Sequence, residues 1–323
     1  MNAAQDAAQT AASRPRKGPL LVIVGPTGSG KTRLAVEMAL RLDGEVVNAD
    51  SRYLYRGLDI GVSKPTLAEL RGVPHHLIDI CDPADEMSLA NYQDRAYAAI
   101  DAILGRGRVP LLVGGTPLYV NAVVEGWRIP RVPPNREFRA RLEREAEERG
   151  AAVLTARLAA VDPIAAERSG RNLRRVIRAL EIHHETGAPM SALEGKGPPP
   201  YAALELGLTL PRPLLHQATD ARVDAQIAAG LVDEVRGLLA GGLAPDSPAM
   251  SSIGYRQLLP HLSGDATLDE AAVQIKTDMR RYVRHQETWL RRNPRIVPID
   301  ATLPDWIDAA IARAERFLRD PEG

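Results

Sequence analysis

Apolar residues follow two rhythms along the chain, short unbroken runs and longer stretches of helical spacing. The run Pro19-Leu20-Leu21-Val22-Ile23-Val24 is continuous and stopped by Gly25-Pro26, as expected of a strand buried on both faces. Val109-Pro110-Leu111-Leu112-Val113 reads the same way and ends at Gly114-Gly115. Glu45–Ala49, which runs into Asp50, and His76–Ile80 predict two further strands between them. The intervening stretches are helical: Lys31–Leu42 sets Leu34, Ala35, Met38 and Leu42 on one face, and Leu89–Leu104 is a second amphipathic run. Strands alternating with helices, the strands nearly all apolar, predict a parallel sheet covered on both faces. The fold class is α/β.

The pattern changes after Glu125. A Pro/Arg-rich stretch, Arg128–Asn135, leads into charged helical sequence that runs to about Glu194 and stops at Gly195-Lys196-Gly197-Pro198-Pro199-Pro200, read as a linker or loop. Tyr201–Leu210 alternates as a returning strand would, and helices resume over Leu214–Leu239 and Leu268–Arg292. Residues 125–200 are therefore expected to form a helical insertion in a core made of 18–124 and 201–323. Met1–Lys17, rich in Ala and Gln, is expected to be a disordered tail and not an export signal.

Composition narrows the function only a little. The chain has 323 residues, with 41 Lys+Arg against 41 Asp+Glu, so any nucleic-acid surface must be a local patch. A single cysteine, Cys81, excludes an internal disulfide and a Cys-rich zinc module. The seven histidines show no metal-ligand spacing. No apolar stretch is long enough to cross a membrane, and a soluble, cytoplasmic protein is expected.

The strongest chemical signal is Gly25-Pro26-Thr27-Gly28-Ser29-Gly30-Lys31-Thr32, a complete G-x-x-x-x-G-K-[ST] phosphate loop with a strand before it and a helix after it. Glycines let backbone N–H groups turn inward around phosphate oxygens, and the helix N-terminus adds a positive dipole end. Lys31 contributes a charge and Thr32 a hydroxyl for Mg²⁺. The metal-binding Asp that ends a strand in many nucleotide hydrolases is missing after Val113, where Gly114-Gly115-Thr116 follows. The acid that does end a strand is Asp50, at the sheet edge where open α/β proteins place their sites. It could be a metal ligand, a general base or a turn cap. Thr116 could equally cap a turn, and Arg222 could pair with Asp220 or Asp224.

Taken in order, the phosphate loop, Asp50–Pro65, Pro110–Thr116, Asn172–Glu181, Ser252–Gln257 and Arg281–Arg292 resemble the tRNA dimethylallyltransferases, also called tRNA isopentenyltransferases, from about Gly18 to Pro294. The resemblance implies a P-loop NTPase-like core whose substrate partners are tRNA, at its anticodon stem-loop, and dimethylallyl diphosphate. It implies transfer of the dimethylallyl group to N6 of the adenosine beside the anticodon (position 37), in tRNAs reading codons that begin with U, by a monomer. On the matching positions, Asp50 is the general base; Lys31, Thr116 and Arg222 hold the diphosphate with the loop amides and Mg²⁺. The segments Asp50-Ser51-Arg52-Tyr53, Arg174-Arg175-Val176-Ile177-Arg178 and Ser251-Ser252-Ile253-Gly254-Tyr255-Arg256, with Thr116 and Arg139, match positions that contact tRNA. The chain departs from the family pattern at Arg52, at Ala218 (often arginine) and at Gln226 (usually apolar).

The residues support an RNA surface on their own terms. Gly126–Pro200 holds 14 Lys/Arg and 10 Asp/Glu, and Arg171, Arg174, Arg175 and Arg178 share a helix face that reads as free of acids. Leu173, Val176, Ile177 and Leu180 fall opposite, toward a core. Lys276–Arg295 is also basic, with Tyr282 and Gln286–Leu290 read as a packing face. Two rivals remain at this level: a small-molecule kinase whose arginine stripe is a lid, and a non-catalytic RNA-binding module.

Overall fold

The computed structural model describes residues 16–321. Most of the expected tail thus lies outside the described residues. Its last residue does not fit that reading: the Lys17 N–H donates to the Pro200 carbonyl at 2.9 Å, and its ammonium pairs with Asp101.

In chain order the elements are β1 (Pro19–Val24), α1 (Lys31–Leu42), β2 (Gly44–Asn48), α2 (Leu67–Leu70), β3 (His75–His76), α3 (Leu89–Gly105), β4 (Val109–Gly114) and α4 (Pro117–Val124). There follow β5 (Trp127–Arg128), α5 (Arg136–Arg149), α6 (Ala151–Val161), α7 (Pro163–Ser169), α8 (Leu173–Thr186), α9 (Met190–Leu193) and β6 (Gly195–Lys196). The chain closes with β7 (Ala202–Thr209), α10 (Arg212–Ala228), α11 (Leu231–Ala240), α12 (Leu259–Ser263), α13 (Leu268–Arg292), β8 (Val297–Asp300) and α14 (Trp306–Arg319).

Six strands form one parallel sheet in the order β3-β2-β4-β1-β7-β8. In β1 the side chains alternate between two cores. Leu20, Val22 and Val24 join Tyr92, Ile100 and Ile103 of α3 and Val120 of α4 on one face. Leu21 and Ile23 join Leu34 and Met38 of α1 and Ala310 and Ile311 of α14 on the other. All five residues Leu20–Val24 are wholly buried, each worth about 1.5–3 kcal/mol of transfer free energy. That two-sided burial is why β1 reads as an uninterrupted apolar run.

Three sequence expectations need correction. The strand expected over His76–Ile80 stops after His76, because Leu77 and Asp79 take left-handed φ of 64° and 56°. The helix expected over Leu214–Leu239 is two helices, broken where Gly230 adopts φ 97°. Gly195-Lys196 is neither linker nor loop but an edge of an antiparallel ribbon with Trp127-Arg128. β8 and α14 lie beyond the last helix that the sequence pattern singled out.

Residues Glu125–Pro198 form a compact unit of their own, and the described residues on either side of it form a second. The smaller unit is helical and packs Leu142, Leu154, Leu158, Val176, Ile177 and Leu180 together. Asn135, Asp162 and Asn172 cap its helices by accepting N–H bonds from Phe138, Ala165 and Arg175, each cap worth roughly 1 kcal/mol.

Candidate active site

Because the strands are parallel, β1, β2 and β4 all end at the same sheet edge, and each delivers a loop there. The loop after β1 turns through Gly28 and Gly30, the latter at φ 93°, and enters α1 at Lys31. A side chain at Gly30 would be strained, so the sharp entry into the helix depends on glycine. The Lys31 ammonium donates to the Gly25 and Pro26 carbonyls at 3.0 and 2.9 Å. Burial lowers its pKa to about 8; Asp50 works against that shift and Arg222 adds to it. Ser29 Oγ is buried without a hydrogen-bond partner in the same loop.

The loop after β2 presents Asp50 and is braced from beneath. Asn48 accepts from the Asp50 N–H at 2.9 Å and donates to the carbonyls of Asp50 and Leu77. The Asp50 carboxylate accepts from the Arg52 N–H at 2.9 Å, leaving its other oxygen for a ligand. Thr116, after β4, accepts from the Ser51 N–H at 3.0 Å and directs its own proton to Ser51 Oγ at 3.4 Å. The second bond is long enough for a better acceptor to replace.

Two cavities meet at Asp50. One, of about 630 Å³, is backed by Gly28, Gly30, Lys31 and Thr32. The other, of about 520 Å³, is lined by Ser51, Thr116, Leu118, Ile253, Met279 and Tyr282, with Arg256, Arg281 and His285 also on its wall. Thr27, Asp50, Val62, Ser63, Arg222 and Gln226 belong to both. The question left open over Arg222 is answered by its neighbours. Asp220 pairs with Arg280 and Asp224 with Lys276 at 2.6 Å, so neither pairs with the guanidinium of Arg222.

Of the residues expected to touch RNA, Asp50, Ser51, Arg52, Thr116, Ser251, Ile253 and Arg256 line the second cavity; the others differ in exposure and pairing. Arg174 and Arg175 are exposed. Arg139 and Arg178 are not free: both bind the wholly buried Glu181, Arg139 by two bonds at 2.8 and 3.0 Å, and Arg178 also donates to the Val132 carbonyl. The arginine face therefore does carry an acid, since Glu181 continues the same helical spacing beyond Arg178. Val176, Ile177 and Tyr255 are buried, and Ser252, also buried, lines the second cavity. Tyr53 donates to the Ser63 carbonyl at 2.8 Å.

The departures from the family pattern also acquire reasons. Arg52 donates to the Pro248 carbonyl at 2.9 Å and reaches Ser251 Oγ at 3.4 Å, tying its loop to the segment before α12. Gln226 donates to the Ile60 and Gly61 carbonyls, both at 2.8 Å, and to Ser63 Oγ. Ala218 lies beside the phosphate loop, with its Cβ 3.5 Å from where a Cβ on Gly28 would stand.

Three residues at the site were missed or assigned elsewhere by the sequence reading. Glu234 accepts from the successive N–H groups of Asp59, Ile60 and Gly61 and from the Tyr255 hydroxyl, fixing a wall of both cavities. Gln286, assigned to a packing face, is instead bonded to two of the site's loops. Tyr282, assigned to the core, is half-buried and faces the Asp50 cavity.

At one sheet edge the chain thus brings together a phosphate-loop motif, an arginine that no ion pair holds among the described residues, and a braced carboxylate. Comparison with known proteins supplies the class. A family model described as IPP transferase matches residues 53–293, and one described as isopentenyl transferase matches residues 18–82. The tRNA dimethylallyltransferase of Thermomicrobium roseum is 54% identical over 306 residues, covering 94% of this chain and 93% of that protein. The crystal structure of the full-length tRNA isopentenylpyrophosphate transferase from Bacillus halodurans is 39% identical with a TM-score of 0.69, over 94% of this chain and 96% of that one. A eukaryotic dimethylallyltransferase described as acting on tRNA aligns at 27% identity and a TM-score of 0.79, covering 94% of this chain and 80% of that one. The chain belongs to the tRNA dimethylallyltransferase family and is a prenyl-group transferase.

Proposed function

We propose that this enzyme transfers a dimethylallyl group from dimethylallyl diphosphate to N6 of the adenosine 3′-adjacent to the anticodon, position 37, in tRNAs reading codons that begin with U. The observation that carries this reading is the meeting at Asp50 of a cavity backed by the phosphate loop with one of apolar and cationic walls. A diphosphate fits the first, and a base with its flanking phosphates fits the second.

An exocyclic adenine amine is a weak nucleophile, because its lone pair is delocalised into the ring. As the N6–C bond forms, the allylic C–O bond breaks, the electron pair leaves with the diphosphate, and the N6 proton passes to the Asp50 carboxylate. General-base assistance of this kind contributes about 10²–10⁴-fold. The charge that grows on the bridging oxygen is met by Lys31, Arg222 and the loop amides, with Thr116 as a further donor. The phosphate loop thus grips a leaving group and transfers no phosphoryl.

Mg²⁺ fits the same loop. Among the described residues no cluster of three or more His, Cys, Asp or Glu could hold a metal, yet Mg²⁺ commonly takes one or two protein oxygens and completes its shell with water and substrate phosphates. Thr32 would hold it, and the orphaned Ser29 hydroxyl lies in the same loop. Bound there, the ion would neutralise charge on the departing diphosphate. The exposed Arg174 and Arg175 and the basic side of α13 would bind RNA phosphates. The adenine would have to be unstacked to reach Asp50, which costs least in a single-stranded loop.

The test is mass spectrometry of unmodified tRNA incubated with the protein, Mg²⁺ and dimethylallyl diphosphate. Gain of one five-carbon unit on a single anticodon-loop adenosine is expected. No gain, with ATP consumed and a small molecule phosphorylated, would overturn the assignment in favour of a kinase.

A further inference from the structure

The phosphate loop and the loop that carries Thr116 leave neighbouring strands whose pairing ends at Val24 and Gly114. Beyond that point a side chain from α13 bridges them. Gln286 is 3% exposed. Its Oε1 accepts from the Thr27 N–H at 2.9 Å and from Thr27 Oγ1 at 3.4 Å, while its Nε2 donates to the Gly115 carbonyl at 3.1 Å. Both ends of the amide are therefore used, and used on different loops. Gly115 precedes Thr116, whose hydroxyl accepts from the Ser51 N–H, and Ser51 follows Asp50. A continuous run of bonds thus links the loop that would hold the leaving group to the loop that would hold the base. The contact is close as well as polar, since a Cβ at Gly115 would lie 2.4 Å from Gln286 Nε2. Gly115 carries no left-handed φ, so what bars a side chain there is this amide.

We propose that Gln286 is a positioning residue for prenyl transfer, setting the separation between the diphosphate-binding loop and the Asp50–Thr116 pair. It rests on the transfer reaction proposed above. In-line attack needs its two reacting atoms at near contact, and a displacement of about 1 Å costs on the order of 10²-fold in rate. A leucine of similar size leaves the Thr27 N–H and the Gly115 carbonyl unpaired and lets the loops drift apart, while Lys31, Arg222 and the arginines keep their grip on each substrate. The loss should therefore fall on kcat and spare KM.

The geometry supplies a second approach from the other side. Gly115→Ala would push the Gln286 amide away without altering Gln286. The test compares wild type, Gln286→Leu, Gly115→Ala and the double variant in steady-state and single-turnover prenyl transfer to an anticodon stem-loop RNA. Thermal unfolding and binding of inorganic diphosphate are followed in parallel. Each single variant is expected to lose roughly 30- to 100-fold in kcat and in the single-turnover rate, with both KM values and diphosphate affinity within about threefold of wild type. The double variant should be no slower than the slower single, because both break one contact. Unchanged kcat in either single variant, or multiplicative losses in the double, would overturn the proposal. So would losses that track a fall in Tm and in diphosphate affinity, which mark a structural role. If Gln286→Leu does not fold, Gly115→Ala alone decides between a kcat loss and none. Failure of wild type to transfer the prenyl group would instead sink the reaction assigned above.

Discussion

Arg139 reaches Glu181 through two hydrogen bonds, at 2.8 and 3.0 Å, and Glu181 is wholly enclosed. Sequence resemblance marks Arg139 as a contact for RNA; its geometry makes it the counter-ion of a buried acid. Burial alone would raise the Glu181 pKa, but the bonds from Arg139, Arg178 and the Asn135 N–H hold it below the ordinary glutamate value. A depressed folded-state pKa gives stability that is present above the unfolded value and lost as pH falls through the folded one. Arg139→Ala should therefore destabilise the 125–198 unit by about 3 kcal/mol at neutral pH, with much of the difference from wild type vanishing below the glutamate range. Hydrogen exchange of α5 and α8 as a function of pH reads this directly; equal protection in variant and wild type would refute it.

Arg174 and Arg175 should behave in the opposite way. They are exposed and no ion pair among the described residues holds them. Replacing both by alanine is expected to leave Tm within about 1 °C while weakening RNA binding. The slope of log K against log salt should become shallower by one to two. An unchanged slope in a salt titration would show that this face does not meet phosphates.

Asp50 offers the sharpest separation of binding from chemistry. Asp50→Ala should lower turnover by about 10²–10⁴-fold while RNA affinity, measured by fluorescence anisotropy, stays within a fewfold. Asp50→Asn keeps an oxygen for the Arg52 N–H and should retain the loop but not the activity. A comparable collapse of affinity in both variants would make Asp50 a structural residue.

Lys31 ties activity to pH. Its folded pKa is about 8, against an ordinary lysine value of 10.5. Diphosphate binding by the free protein should accordingly weaken above pH 8, by up to tenfold per unit as the proton is lost. The sign for stability is the reverse. The native state binds fewer protons than the unfolded chain between about pH 8 and 10.5, so the unliganded protein gains stability across that window. The gain should be about 1–3 kcal/mol, reduced by the partial solvent access of the ammonium. Lys31→Met should abolish both dependences, as chemical denaturation and diphosphate titrations at pH 7 and 9.5 would reveal.

The strands and the phosphate loop were legible because each is a contiguous run with a single explanation. Leu20–Val24 is apolar at every position since both sheet faces are covered, and Gly25–Thr32 carries its anion-binding geometry in its own glycines. What escaped detection is held by side chains far apart in the chain. A sequence separation of 259 between Thr27 and Gln286 leaves no local trace of their bond, and a glutamine in a helix reads like any other polar position. Glu181 is a different case: it stands three residues after Arg178, within the same helical spacing, and only its burial and its bonds to Arg139 lay beyond the local pattern. The end of β3 turned on left-handed backbone at Leu77 and Asp79, which neither residue type announces. Arg222 could be resolved only once its flanking aspartates were seen to bind Arg280 and Lys276.

The ribbon between Trp127-Arg128 and Gly195-Lys196 brings the two ends of the helical unit side by side, and the Gly197 N–H meets the Gly126 carbonyl at 2.8 Å. A stretch of chain that leaves and returns through neighbouring points behaves as a cassette. A tight turn across positions 126 and 197 could replace it without pulling on β7 or α4. The remaining polypeptide should still melt cooperatively and retain inorganic diphosphate.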